Sequence, residues 1–325
     1  MATSGAWLRV APQLAYQDIT ALAVFDNGSG DQLYGMTLKA PDKGGRLFRY
    51  NDVDAWNEVA SYLLPYYKSS LGNGLVEFNN KLYGTTGHFF YGDALRLLEW
   101  NSVDAWTQAA STVFGSHQIH DLIVFDDGGG DALYGATSDG FSNAGKLLKW
   151  NGVYTLTIVA NTLLNQRWCF DLCEYGGDLY GGMGASGFLF KWNGVDSWIK
   201  VADQLNSQTS ILSLAVFDNG GGDALYGGTS PNGKLFRYND VDAWEEVADQ
   251  LNGQTKIYAL LVSNNKLLGG TGTGGRLFQF NDTDAWEELA PKLGASHILD
   301  LAEYKGDIFG STPWNGSLYK YIPPA

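Results

Sequence analysis

Residues 211–248, ILSLAVFDNGGGDALYGGTSPNGKLFRYNDVDAWEEVA, hold four short apolar-rich runs: ILSLAVF, ALYGGT, GKLFRY and AWEEVA. Each is bounded by Gly, Asn, Asp or Pro and is rich in aromatic and β-branched residues. That pattern predicts strands joined by tight turns, not helices. The same unit returns every ~40–50 residues, a spacing that belongs to propellers and arrays.

Two landmarks count the repeats. The Leu-Tyr-Gly run of the second strand begins at Leu33, Leu82, Leu133, Leu179 and Leu225, and returns as Leu267-Leu268-Gly269 and Ile308-Phe309-Gly310. The tryptophan of the fourth strand stands at Trp7, Trp56, Trp106, Trp198, Trp244 and Trp286, with Leu156 in that slot inside NGVYTLTIVA. Both landmarks give seven. The chain opens on AWLRVA (Ala6–Ala11), a fourth strand with no partners before it. It closes on HILDLAEY, DIFGST and SLYKYI, three strands with no fourth after them. Residues 1–325 are therefore read as one all-β domain. It is a seven-bladed β-propeller of four antiparallel strands per blade, its ring closed by the N-terminal strand joining the C-terminal blade. An open solenoid would need polar caps at both ends.

Composition agrees and narrows the partners. Forty-two glycines and 8 prolines among 325 residues suit about 28 strands linked by tight turns. The formal net charge is −14 with no run of Lys or Arg, which argues against nucleic acid and anionic membrane surfaces. No apolar run reaches the ~18 residues of a membrane span, so membrane insertion is not expected. MATSGAWLRVAPQL lacks a basic start followed by an apolar stretch, so no signal peptide is visible. The expected setting is a secreted mature form or a surface-exposed particle component. Nothing in the sequence sets an oligomeric state. The two cysteines, Cys169 and Cys173, lie four apart on one strand. They are read as sharing one face some ~13 Å apart, too far for a disulfide, in slots held elsewhere by Ile298 and Ala302.

Alternating strands divide the turns between two faces. On one face the turn between strands three and four repeats as NDVDAW (Asn51), NSVDAW (Asn101), NGVDSW (Asn193), NDVDAW (Asn239) and NDTDAW (Asn281). Its Asn and Asp suit a side-chain-capped turn, and the Trp is expected to pack between sheets with its N–H at the rim. The hairpin between strands one and two is short in four repeats. It is longer in three: DNGSGD (Asp26), DDGGGD (Asp126) and DNGGGD (Asp218). These carboxylates suit calcium, but Gly28, Gly128 and Gly220 fill a position where an EF-hand places a ligand. A glycine-rich hairpin without cofactor is the preferred reading, with calcium as the alternative.

On the other face the repeats differ. Its loops read LKAPDKGG, GHFFYGDA, SDGFSNAG and TPWNG, and its inter-blade links include PYYKSSLGNG, FGSHQIH and LNQRWCF. All four histidines (His88, His117, His120 and His297) map here, as do Tyr66, Tyr67, Phe89, Phe90, Tyr91, Phe141, Trp168, Trp314 and Asn315. A scaffold that varies on one rim only is placing specificity there. Aromatic faces with Asn315, Asn143 and Asp139 beside them form the mixed lining of a glycan or protein site. Three inner strands also carry Asp at one register, Asp121, Asp171 and Asp300, where other blades have Ala21, Gly74, Ser213 and Ala259. At the channel mouth these either solvate the channel or serve as acid and base for a hydrolase or lyase. His117-x-x-His120 is a weak metal pair, because residues three apart on a strand face opposite ways. Two G-x-G-x-x-G matches, at Gly182 and Gly270, lead into strands instead of the helix that dinucleotide binding requires.

ITALAVFDNGSGDQLYG followed by GGRLFRYNDVDAW resembles the kelch-like propeller repeats of bacterial and viral surface proteins, over essentially the whole chain. The resemblance implies a propeller and says little of function, since propellers host lectins, adhesins, scaffolds and enzymes. The copper-ligand constellation of the galactose oxidase type is missing. The leading expectation is a non-enzymatic, lectin-like recognition or adhesion module binding a glycan or a surface protein. An assembly subunit, for instance of a virion, is a further reading.

Overall fold

The computed structural model describes residues 5–12, 14, 18–38, 46–61, 74–85, 95–111, 118–138, 145–161, 166–203, 207–250, 252–281, 283, 285–293, 297–313 and 316–324. Among them are 28 strands, β1–β28 in chain order, forming seven four-stranded antiparallel sheets. Six sheets take four consecutive strands. The seventh has the order β1-β28-β27-β26, with β1 (Ala6–Ala11) antiparallel to β28 (Leu318–Ile322). The ring closes as the sequence pattern predicts. The blade of residues 211–248 observes the predicted strands to within two residues, as Ser210–Asp218, Asp223–Ser230, Leu235–Tyr238 and Trp244–Ala248.

The core is seven apolar clusters, each spanning two neighbouring blades. The two sequence landmarks are one packing device. A Cβ on Gly35, Gly84, Gly181, Gly227 or Gly310 would lie 3.0 Å from the indole edge of Trp56, Trp106, Trp198, Trp244 or Trp7. Leu-Tyr-Gly is thus the socket and Ala-Trp the plug, and any side chain in the socket would overpack it. Gly135, in the blade where Leu156 replaces Trp, meets Ile119 Cγ2 at 3.2 Å instead. The indole N–H groups of Trp7, Trp56, Trp198, Trp244 and Trp286 do not reach the rim as expected. They are buried without a hydrogen-bond partner among the described residues.

The inner strands β2 (Asp18–Asp26), β10 (Gln118–Asp126), β14 (Cys169–Tyr175), β18 (Ser210–Asp218) and β22 (Ile257–Ser263) share a β-bulge near their N-terminal ends. The bulged residues are Thr20, His120, Phe170, Leu212 and Tyr258. One inserted residue reverses the facing of everything beyond it. Cys169 and Cys173 therefore pack on opposite faces of their blade, not on one. Cys169 joins the cluster of Phe125 and Tyr134, and Cys173 that of Leu214 and Phe236. Both thiols are free.

Candidate functional site

The uniform face is held by its own side chains. Asn51 Oδ1 accepts hydrogen bonds from the amides of Val53, Asp54 and Ala55 at 2.9–3.0 Å. Asn101, Asn193 and Asn239 repeat that pattern. In the long hairpins, Asp26 Oδ1 accepts from Gly28 and Gly30, Asp126 Oδ1 from Gly128 and Gly130, and Asp218 Oδ1 from Gly220 and Gly222, all at 2.7–2.8 Å. The first carboxylate of each acidic-glycine loop is thus occupied in shaping the loop. No group of three or more ligating side chains suited to a metal occurs among the described residues.

At the opposite end of the inner strands, the bulge makes a rim. Trp168 stacks on Phe170, with centroids 6.2 Å apart and planes 10° from parallel, and Phe170 meets His120 of the preceding blade edge-on at 5.1 Å. Gly184 makes room for this patch, since a Cβ there would lie 2.5 Å from Phe170 Cε2. Its amide donates to Trp168 O at 2.8 Å. Burial holds the His120 imidazole neutral, with its pKa pushed down to about 4. Its Nε2 has no hydrogen-bond partner among the described residues. A second patch forms two blades further round. Tyr258 meets His297 edge-on at 5.1 Å, and Lys256 Nζ lies 5.3 Å from the Tyr258 ring centroid. Burial, then the Lys256 charge, holds His297 below the usual histidine range. The rim thus offers one uncharged aromatic patch and one cationic patch.

Each of the three carboxylates accepts from a main-chain amide of the next inner strand. Asp121 Oδ2 accepts from the Leu172 amide of the next blade at 3.0 Å, and Asp171 Oδ2 from Leu214 of the next at 2.6 Å. Asp300 Oδ2 accepts from Leu22 across the ring closure at 2.7 Å. Asp171 and Asp300 give their second oxygens to Leu172 and Leu301 at 3.1 and 2.8 Å. Each is a clamp between neighbouring inner strands. Burial pushes Asp121 up to about 6 and Asp300 up to about 7. Burial, then the adjacent Asp121 carboxylate, raises Asp171 well above the carboxylate range.

Of the residues expected from sequence to form a ligand surface, His120, Trp168 and His297 are placed on this rim. Tyr66, Tyr67, His88, Phe89, Phe90, Tyr91, His117, Phe141, Trp314 and Asn315 lie outside the described residues. Phe170, Tyr258 and Lys256 were not expected. The signal was present: the residue before the Asp register varies as Thr20, His120, Phe170, Leu212 and Tyr258. The variable face also carries a repeated scaffold. Gln208 and Gln254 are buried, and their Oε1 atoms accept from Thr229 and Thr271 hydroxyls at 3.0 and 2.7 Å. Links and loops on this face are thereby pinned to the second strands.

No family model matches the chain, and no curated protein matches it in sequence. Solved structures do match. The WD40 β-propeller domain of Doa1 is 13% identical with a TM-score of 0.67, over 98% of this chain and 97% of that one. YCF48, solved bound to a D1 peptide, is 12% identical with a TM-score of 0.68, over 99% and 96%. The computationally designed Ika8 protein is 14% identical with a TM-score of 0.57, over 97% and 99%. At these identities the likeness establishes the class, a seven-bladed β-propeller, and the class alone.

Proposed function

We propose that this propeller is a non-enzymatic recognition module that binds a protein partner through the bulge-lined rim of its variable face. The observation that carries the reading is the rim itself. Five inner strands present their unpaired bulge residue at the same end, and Phe170 and Tyr258 among them anchor half-buried aromatic patches, the Tyr258 patch beside Lys256. Aromatic anchors flanked by polar groups are the usual composition of protein-binding hot spots. That YCF48, of the same fold, was solved with a peptide bound favours a polypeptide ligand over a small metabolite. An acid–base role for Asp121, Asp171 and Asp300 is not favoured, because each spends an oxygen on a main-chain amide of the next blade. A kelch-like kinship and an exposed, secreted or particle-borne setting remain part of this proposal.

The test is a displayed peptide library and a glycan array probed with the same purified protein. Peptide hits weakened about tenfold or more by Phe170→Ala or Tyr258→Ala support the reading. Saturable glycan hits with no peptide hits transfer the rim to a lectin role. Hits that survive both substitutions refute the rim as the site.

A further inference from the structure

The uniform face carries more than its turns require. Val53, Val103, Val153, Val195 and Val241 stand at the tips of five three-to-four turns and are 72, 72, 56, 72 and 74% exposed. The Asn carboxamide holds those turns through main-chain amides, so the valine side chains contribute little to them. Exposed aspartates flank them, as Asp52, Asp54, Asp104, Asp196, Asp240 and Asp242. Beside these turns open two recesses of like build, each bordered by a long hairpin and the short hairpin of the next blade. One, of about 450 Å³, is bordered by Asp26, Glu77 and Phe25. The other, of about 540 Å³, has Asp126 on its rim and Phe125, Leu179 and Trp192 below.

Charge within these recesses is unevenly compensated. Asp127 and Asp178 pair with Lys149 and Lys191. Asp26 and Asp126 spend Oδ1 on glycine amides, and no ion pair engages them or Glu77 among the described residues. A recess edged by an uncompensated carboxylate fits a Lys or Arg side chain, whose head meets the acid. The exposed valines of the same face fit apolar residues of the same segment. A second copy of this face would oppose acid to acid, which disfavours self-docking. We infer that the uniform face is a second docking surface, independent of the variable rim, for an extended basic segment of a protein partner that carries both cationic and apolar residues.

The test is fluorescence anisotropy with a labelled peptide of alternating arginine and valine, and a glutamate–valine peptide as control. Asp26→Asn with Asp126→Asn keeps an oxygen for the glycine amides while removing the charges. Saturable binding of the basic peptide is expected to weaken about fivefold or more in this variant, and similarly with serine at the five valines. It is expected to stay unchanged in Phe170→Ala. Asp203→Asn with Asp249→Asn removes equal charge elsewhere and separates local contact from long-range attraction. Absence of saturable binding, equal binding of the acidic peptide, or an equal loss in the charge control would overturn the inference.

Discussion

The two faces of the ring are built from the same strands and solve different problems. On the uniform face, one carboxamide or carboxylate per turn satisfies two or three amides, and the solution is copied from blade to blade. On the variable face, buried Gln208 and Gln254 pin links to the scaffold, while each bulge lifts one residue out of pairing. A bulge residue has no ladder partner and is free to change, which is why Thr20, His120, Phe170, Leu212 and Tyr258 differ so widely. Repetition of the turn-capping side chains marks what the fold needs, and variation at the bulge marks where it can diversify.

The sharpest way to break this contrast is at the socket beneath the uniform face. Trp244→Ala is expected to cost about 3–5 kcal/mol, measured by urea unfolding. Gly227→Ala, which places a Cβ 3.0 Å from Trp244 Cη2, is expected to cost about 1–3 kcal/mol. Gly135→Ala, where no indole fills the socket, is expected to cost less than Gly227→Ala. Equal losses at Gly227 and Gly135 would separate the two landmarks.

Next comes the turn. Asn239→Ala leaves the amides of Val241, Asp242 and Ala243 without their acceptor and is expected to cost about 1–2 kcal/mol. Asn239→Asp, which keeps the oxygen, is expected to recover most of that in the same unfolding assay.

The channel clamps give a pH signature. Folded Asp300 holds its proton to about 7 and Asp121 to about 6, against an unfolded value near 3.8. Between these limits the folded state binds more protons, so this contribution to stability is full below the unfolded value and is lost as pH rises through 6 to 7. Melting temperatures between pH 4 and 8 should show the decline, and Asp300→Asn should flatten it. An unchanged slope in that variant would remove Asp300 as its source.

The smallest effect on stability is expected at the rim. Phe170 is half-buried, and Phe170→Ala should cost no more than about 1.5 kcal/mol, well short of a core aromatic. If it unfolds the ring instead, the rim is core and the contrast between faces fails.

The fold was legible because its signals repeat. Alternation, Leu-Tyr-Gly and Ala-Trp recur in step, and the unmatched strands at the two ends pair as β1 with β28. The bulge was not legible, because a single inserted residue leaves composition and period intact while reversing side-chain facing. The four-residue spacing of Cys169 and Cys173 therefore suggests one face where the fold has two, and the spacing does not single out Phe170 or Tyr258. The Asp register was legible, but its use was not. Nothing in the spacing tells that Asp121, Asp171 and Asp300 accept amides from the next blade. The burial of the indole N–H groups is not legible either, because Trp at a strand start suggests a rim position, whereas the glycine socket draws the ring inward.

The central claim is that the variable-face rim is the recognition site. The most direct measurement is amide hydrogen exchange of the whole chain with and without a peptide selected by display. The account predicts added protection concentrated at residues 168–170, 184–187, 256–258 and 272–275, with the turns at 51–55 and 239–243 unchanged. Protection confined to those turns and to the hairpins at 26–31 and 126–131 would contradict it.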